Sequence, residues 1–289
     1  MSAARASAKV NLGLKVEAPR SDGYHPLHSL TQTIDWLDEV AIADAEADEV
    51  VVSNDMAPAD EDNLAWAAAD SVRAVAGSSE PMQVTVQKSI PDGAGLGGGS
   101  ADAAAALILA SRRFGVSFDE VRRLAVDLGA DVPFALVGGT ALVTGIGEFV
   151  SPEPDAEGFA LALVVPPFRL ETPLVYAAWD DLGGPEGPVV PAFALPPALR
   201  DYPALANDLY PAAVAVVAAI DDWRAELEAS WGIPVAMTGS GSALYGYFST
   251  IGEAEDAVTK APPEARATRA ASPVSFGWQV VDEQTTEGR

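Results

Sequence analysis

Between a strand and a helix of unremarkable composition, this chain carries five glycines in seven residues, Gly93-Ala94-Gly95-Leu96-Gly97-Gly98-Gly99, followed by Ser100. Glycine adopts φ > 0 without strain and has no Cβ, so anionic oxygens can approach backbone N–H groups closely. The preceding residues, MQVTVQKSI (82–90), place valines at alternate positions and read as a strand. The following residues, ADAAAALILASRRF (101–114), read as a strong helix. A helix beginning near Ser100 adds about half a positive charge at its N-terminus. Strand, loop and helix start together make a phosphate-binding segment, in which Ser100 can cap the helix or bond a phosphate.

Two other glycine-loop chemistries compete with this one. Gly93 to Gly98 formally satisfies G-x-G-x-x-G, and Asp119 or Glu120 lies about 20 residues further on, as a dinucleotide site requires. That fingerprint belongs in a βαβ unit. No strand follows the helix before Ser117-Phe118-Asp119-Glu120, which opens another helix with a capping box. The P-loop fails outright, because Gly-Lys-Ser/Thr occurs nowhere in the chain.

The net charge of −25, from 17 basic and 42 acidic residues, repels a nucleic-acid backbone and excludes it as the main partner. With so few cations, the positive field for a polyphosphate must come largely from backbone amides and a divalent metal. No apolar run reaches membrane-spanning length, and the N-terminal residues lack a signal-peptide core. A cytoplasmic protein is expected, with no membrane partner. The absence of cysteine removes disulfides and thiolate metal sites.

Strands are expected at 9–16, 28–35, 40–45 and 51–53, then an alanine-rich helix capped by Asp62-Asn63 and stopped by Gly77. Strands at 141–145 and 160–166 follow the helix that ends at Gly129. Residues 180–203, rich in Gly and Pro, read as an irregular connection. Helices near 207–220 and 222–230, strands at 234–239 and 242–248, a helix at 252–260 and a strand at 274–281 complete the chain. This order is α+β, with a boundary where Pro152 and Pro154 interrupt: 1–156 and 157–289.

Four places carry candidate chemistry. Asp131, in Gly129-Ala130-Asp131-Val132-Pro133, is either a helix cap or a carboxylate that orients or deprotonates a hydroxyl. Lys9, two residues before Asn11, is either a snorkelled strand lysine or a cation that tunes such a carboxylate. Thr238-Gly239-Ser240-Gly241-Ser242 is either a hairpin turn or a set of backbone donors. His25 and His28, the only histidines, cannot complete a transition-metal shell. No G-x-S-x-G elbow accompanies them for a hydrolase.

Together Ala8-Lys9-Val10-Asn11-Leu12, Asp22-Gly23-Tyr24-His25, Asp62-Asn63-Leu64, Pro91 to Ala103, Gly129 to Pro133 and Thr238 to Gly241 resemble the GHMP small-molecule kinases. The Asp-Gly-Tyr-His segment is similar to the branch that phosphorylates a cytidylylated methylerythritol in non-mevalonate isoprenoid synthesis. Homoserine or mevalonate kinases, and a catalytically silent nucleotide-binding relative, are the alternatives. The resemblance implies an N-terminal ribosomal protein S5 domain 2-like unit, a C-terminal ferredoxin-like unit and an active site in the cleft between them.

The resemblance also implies roles for individual residues. Lys9 and Asp131 match the catalytic pair. Asn11, Tyr24, His25, Thr172, Tyr176, Gly239 and Gly241 match the cytidyl substrate's site, with the cytosine between aromatic rings. Asn63, Lys88, Pro91, Gly93, Ala94, Gly95, Leu96, Gly97, Gly98, Gly99, Ser100 and Ala101 match the ATP site. Mg²⁺ is expected with ATP, its ligands unassigned, and the protein is expected as a monomer or weak homodimer. Asp92 departs from the family pattern at the mouth of the loop and is expected to face solvent.

Overall fold

A computed structural model describes residues 2–281. Two long strands organise the first half: β1 (Ser2–Val16) and β2 (Leu27–Asp44), antiparallel partners over most of their length. The strands expected separately at 28–35 and 40–45 are one continuous β2. The charges that break its alternation are bonded inward: Asp35 Oδ1 accepts from the Ser272 N–H, and Asp38 Oδ1 accepts from those of Ser89 and Ile90.

The seven-stranded sheet adds β3 (Glu49–Val52), β4 (Met82–Gln87), β5 (Thr140–Gly145), β6 (Phe149–Pro152) and β11 (Trp278–Val281). One face is covered by the alanine-rich helices α1 (Leu64–Val75) and α2 (Gly98–Phe114), whose small side chains let the helices pack closely. Beside them lie α3 (Phe118–Leu128) and the short α4 (Val132–Val137). At α3 the Ser117 side chain accepts from the Glu120 N–H, while Glu120 pairs with Arg123, so only half of the expected capping box forms.

β1 changes allegiance part-way along. Ala4 and Ala6 pack with the helices, whereas Ala8, Val10 and Leu12 pack against the second half of the molecule. All five positions share the same parity, so a simple strand would put them on one face. The switch falls at the register shift between Ser7 and Ala8, where the β2 partner jumps from Leu37 to Ile34 and Asp35 and Trp36 are left opposite no residue of β1. Beyond it, Lys9 and Asn11 point away from the second core.

The second half is a four-stranded antiparallel sheet of β7 (Ala160–Val165), β8 (Ala236–Met237), β9 (Leu244–Phe248) and β10 (Ala267–Ala271), in the order β10-β7-β9-β8. With α5 (Thr172–Asp181), α6 (Tyr210–Val216) and α7 (Ala219–Trp231) between the first two strands and α8 (Ile251–Val258) between the last two, this is the expected ferredoxin-like unit. The strand expected at 274–281 is the shorter β11, beside β1 in the other sheet, and β10 of this sheet was not expected from the sequence. The chain's later part therefore returns to the first sheet, outside the 157–289 unit drawn from the sequence. Residues 282–289 of that unit lie outside the described residues.

Candidate active site

A cavity of about 960 Å³ runs between the two halves with the glycine loop as its floor. The loop is tied on both sides: Lys9 N–H donates to Leu96 O at 2.9 Å and Ala243 N–H to Ala94 O at 3.0 Å. Gly95 has φ +76°, and a Cβ there would lie 2.3 Å from Thr238 O. Gly97, at φ +69°, would drive a Cβ to 2.9 Å from the Lys9 Cγ. Any side chain at either position would push the loop off its supports.

The first bond of the α2 ladder runs from Ala101 N–H to Gly97 O at 2.9 Å, and no side chain caps the helix. The N–H groups of Gly98, Gly99 and Ser100 are thus left at the cavity floor without intrahelical partners, the arrangement that binds phosphate. Ala101 is the exception among the expected site residues. Its N–H is spent in the ladder, its side chain is buried in the helical core, and it does not line the cavity.

At one end of this cradle, Lys9 Nζ donates to Asn11 Oδ1 at 2.6 Å and lies 3.4 Å from Asp131 Oδ2. Asn11 is held in turn, its Nδ2 donating to Ser29 Oγ at 2.8 Å and its N–H to Thr238 Oγ1 at 2.9 Å. Asp131 occupies the position before α4 yet makes no capping bond. Its side chain is 43 % exposed, against 8 % for Lys9, so the carboxylate remains free to meet a substrate.

The other end is aromatic. The His25 ring lies 5.1 Å from that of Tyr176 and edge-on to Trp179 at 5.5 Å, with Nε2 at 2.9 Å from Asp180 Oδ1. Burial, and then the negative charge of Asp131, push the Tyr176 phenol up to about 12, so it stays neutral. Tyr24 stands exposed on the rim. Thr172 Oγ1 and Ser240 Oγ share a hydrogen bond of 2.8 Å, bringing α5 to the turn formed by Gly239 and Gly241.

Asn63 and Lys88 line the cavity, but their polar atoms are committed to the fold. Asn63 caps α1 through Oδ1 to the Ala65 N–H and donates from Nδ2 to Pro58 O. Lys88 is buried between Asp38 and Asp102, 2.7 Å from Asp102 Oδ2. Burial pulls the ammonium down, but Asp102 and Asp38 more than offset this, so its pKa is raised. Burial pushes Asp102 up to about 8 against the pull of Lys88, and its Oδ1 has no partner.

Asp92 does not simply face solvent: Arg169 and Arg266 hold its carboxylate at 3.0 and 3.1 Å. Sequence reasoning missed these two arginines and Asp180. Only Asp180 carried a local signal, four residues after Tyr176 on what proves to be one helix.

A kinase from Mycolicibacterium gilvum, named 4-diphosphocytidyl-2-C-methyl-D-erythritol kinase, is 35 % identical over 303 residues, covering 98 % of this chain and 94 % of its own. This chain belongs to the GHMP kinases, in the 4-diphosphocytidyl-2-C-methyl-D-erythritol kinase branch. Residues 63–139 match the family model described as GHMP kinases N terminal domain. A relative of the same name from Heliobacterium modesticaldum is 45 % identical over 188 residues, which span 63 % of this chain and 59 % of the relative. A crystal structure titled 4-(cytidine 5'-diphospho)-2C-methyl-D-erythritol kinase superposes with a TM-score of 0.78 at 34 % identity, covering 94 % of this chain and 98 % of the other. No helix among the described residues is long and apolar enough to cross a membrane.

Proposed function

We propose that this enzyme transfers the γ-phosphoryl group of ATP to the 2-hydroxyl of 4-diphosphocytidyl-2-C-methyl-D-erythritol, the compound in its relatives' name, as a step of non-mevalonate isoprenoid synthesis carried out in the cytoplasm. The observation that carries the reading is the meeting of Lys9 and Asp131, 3.4 Å apart, at the edge of the amide cradle. The His25 and Tyr176 rings on the same cavity, with buried Trp179 packed edge-on behind His25, support a flat heterocycle at the far end.

On this reading the polyphosphate lies on the N–H groups of Gly98, Gly99 and Ser100. The acceptor oxygen attacks the γ-phosphorus in line, the bond to the β–γ bridging oxygen breaks, and ADP leaves. Asp131 orients the hydroxyl and receives its proton. Lys9, fixed by Asn11, stabilises negative charge at the transferring group. Positioning and electrostatics supply most of the acceleration, and no covalent enzyme intermediate is needed.

The described residues hold no cluster of three His, Cys, Asp or Glu able to bind a metal. The Mg²⁺ expected with ATP therefore finds no protein cage here, and no step is assigned to it. The acidic composition supports a soluble protein, read as a monomer or weak homodimer.

Incubation with ATP and the cytidylylated substrate tests the proposal: ADP and a phosphomonoester should form in equal amounts, and homoserine or mevalonate should not replace the substrate. Turnover of either in preference would overturn it.

A further inference from the structure

In a chain with net charge −25, cations beside a triphosphate site are scarce. Lys9 has Asp131, and Lys88 is enclosed by two carboxylates. At the mouth of the loop the balance reverses, because the single carboxylate of Asp92 serves two guanidiniums. Arg266 is anchored twice, from Nη1 to Asp92 Oδ1 at 3.1 Å and from Nη2 to Asp92 O at 2.6 Å. Arg169 is attached by one ion pair, from Nη2 to Oδ2 at 3.0 Å, and its side chain is 60 % exposed.

The stem of Arg169 crosses the start of the phosphate loop. Its Cγ and Cδ lie 3.6 Å from where a Cβ on Gly93 would be. A shallow groove lined by Arg169 and residues 52–59 shares Asp92, Met56, Ala57 and Pro58 with the main cavity.

We propose that Arg169 binds the nucleotide's phosphate chain, exchanging its single ion pair with Asp92 for the phosphates beyond the first of ATP or ADP. The exchange costs little at Asp92, since Arg266 continues to neutralise it. A guanidinium fork matches phosphate oxygens in a bidentate way and makes charge-assisted bonds stronger than neutral ones. Arg169 also supplies the mobile positive charge that the composition makes scarce. The assignment rests on the kinase reading, which puts nucleotide in the cradle.

Calorimetric titration of ADP, AMP and CDP into the wild type, Arg169→Ala and Arg169→Lys separates the possibilities. Arg169→Ala should weaken ADP by about tenfold or more, change AMP and CDP less than about twofold, and keep the wild-type melting temperature. Arg169→Lys should recover part of the loss. Unchanged ADP affinity in Arg169→Ala, equal losses for ADP and AMP, or a loss confined to CDP would each overturn the assignment. Failure of the wild type to bind ADP would overturn the kinase reading itself, a distinct result.

Discussion

Two buried lysines flank the glycine loop, each beside carboxylates, and they differ in what surrounds the carboxylates. Lys9 meets Asp131 at 3.4 Å, and that carboxylate's side chain is 43 % exposed, so a substrate hydroxyl can reach it from the solvent side. Lys88 touches Asp38 and Asp102, both almost wholly buried. A buried charge whose partner reaches solvent can exchange that partner for substrate. One sealed between two counter-ions can only hold the fold. On the proposed reading, the same residue type beside the same loop is chemical in one place and architectural in the other.

The sharpest way to break this comparison is Asp131→Asn, which should lower kcat by about 10²–10⁴ through loss of the proton acceptor. ADP affinity and melting temperature should scarcely move. A fall in stability matching the fall in rate would make the pair structural after all. Lys88→Met should do the reverse, destabilising the chain by about 3–5 kcal/mol because the buried Asp38 carboxylate then loses its cation. Denaturant midpoints measure it, and a stable but inactive Lys88→Met would move that lysine to the chemical side.

A smaller effect is expected at the far end of the cavity. His25→Ala should weaken CDP several-fold by removing a ring from the aromatic group, worth about 0.5–1.5 kcal/mol, with ADP affinity kept. Equal losses for the two ligands would dissolve the division of the cavity into two ends.

Asp102→Asn gives the smallest expected change, one of slope. Burial holds the Asp102 carboxyl at about 8, above its ordinary 3.8, so the folded chain keeps a proton that the unfolded chain releases. The resulting stability is complete below pH 3.8 and fades as the pH climbs to about 8. Asparagine cannot titrate, so wild type minus variant in melting temperature should fall between pH 5 and pH 8 and then level off. A difference that stays flat over that interval would show that Lys88, rather than burial, dominates Asp102.

The cradle was legible because its chemistry is written in consecutive residues: glycines 93 to 99, a strand before them and a helix after. Lys9 and Asp131 were legible only as alternatives, since neither a strand lysine nor an aspartate before a proline is distinctive. The resemblance to the GHMP kinases joined them, and the geometry brings them together. The cluster of Asp38, Lys88 and Asp102 was invisible, because its members lie 14 and 50 residues apart and no local pattern marks a buried aspartate. The Asp92 to Arg266 contact, across 174 residues, was invisible for the same reason. β2 was divided because Asp35 and Asp38 look like loop residues until their backbone partners from other segments are known.

The face switch in β1 has a consequence for how such a sequence can vary. Because alternation along β1 decides which side chains meet the active-site cavity, a single-residue insertion or deletion between Ala6 and Lys9 would present Ala8 and Val10 to that cavity and turn the ammonium into an oily interior. Point changes along this strand alter the enzyme by degrees. A change in its length would exchange its reactive surface for an inert one.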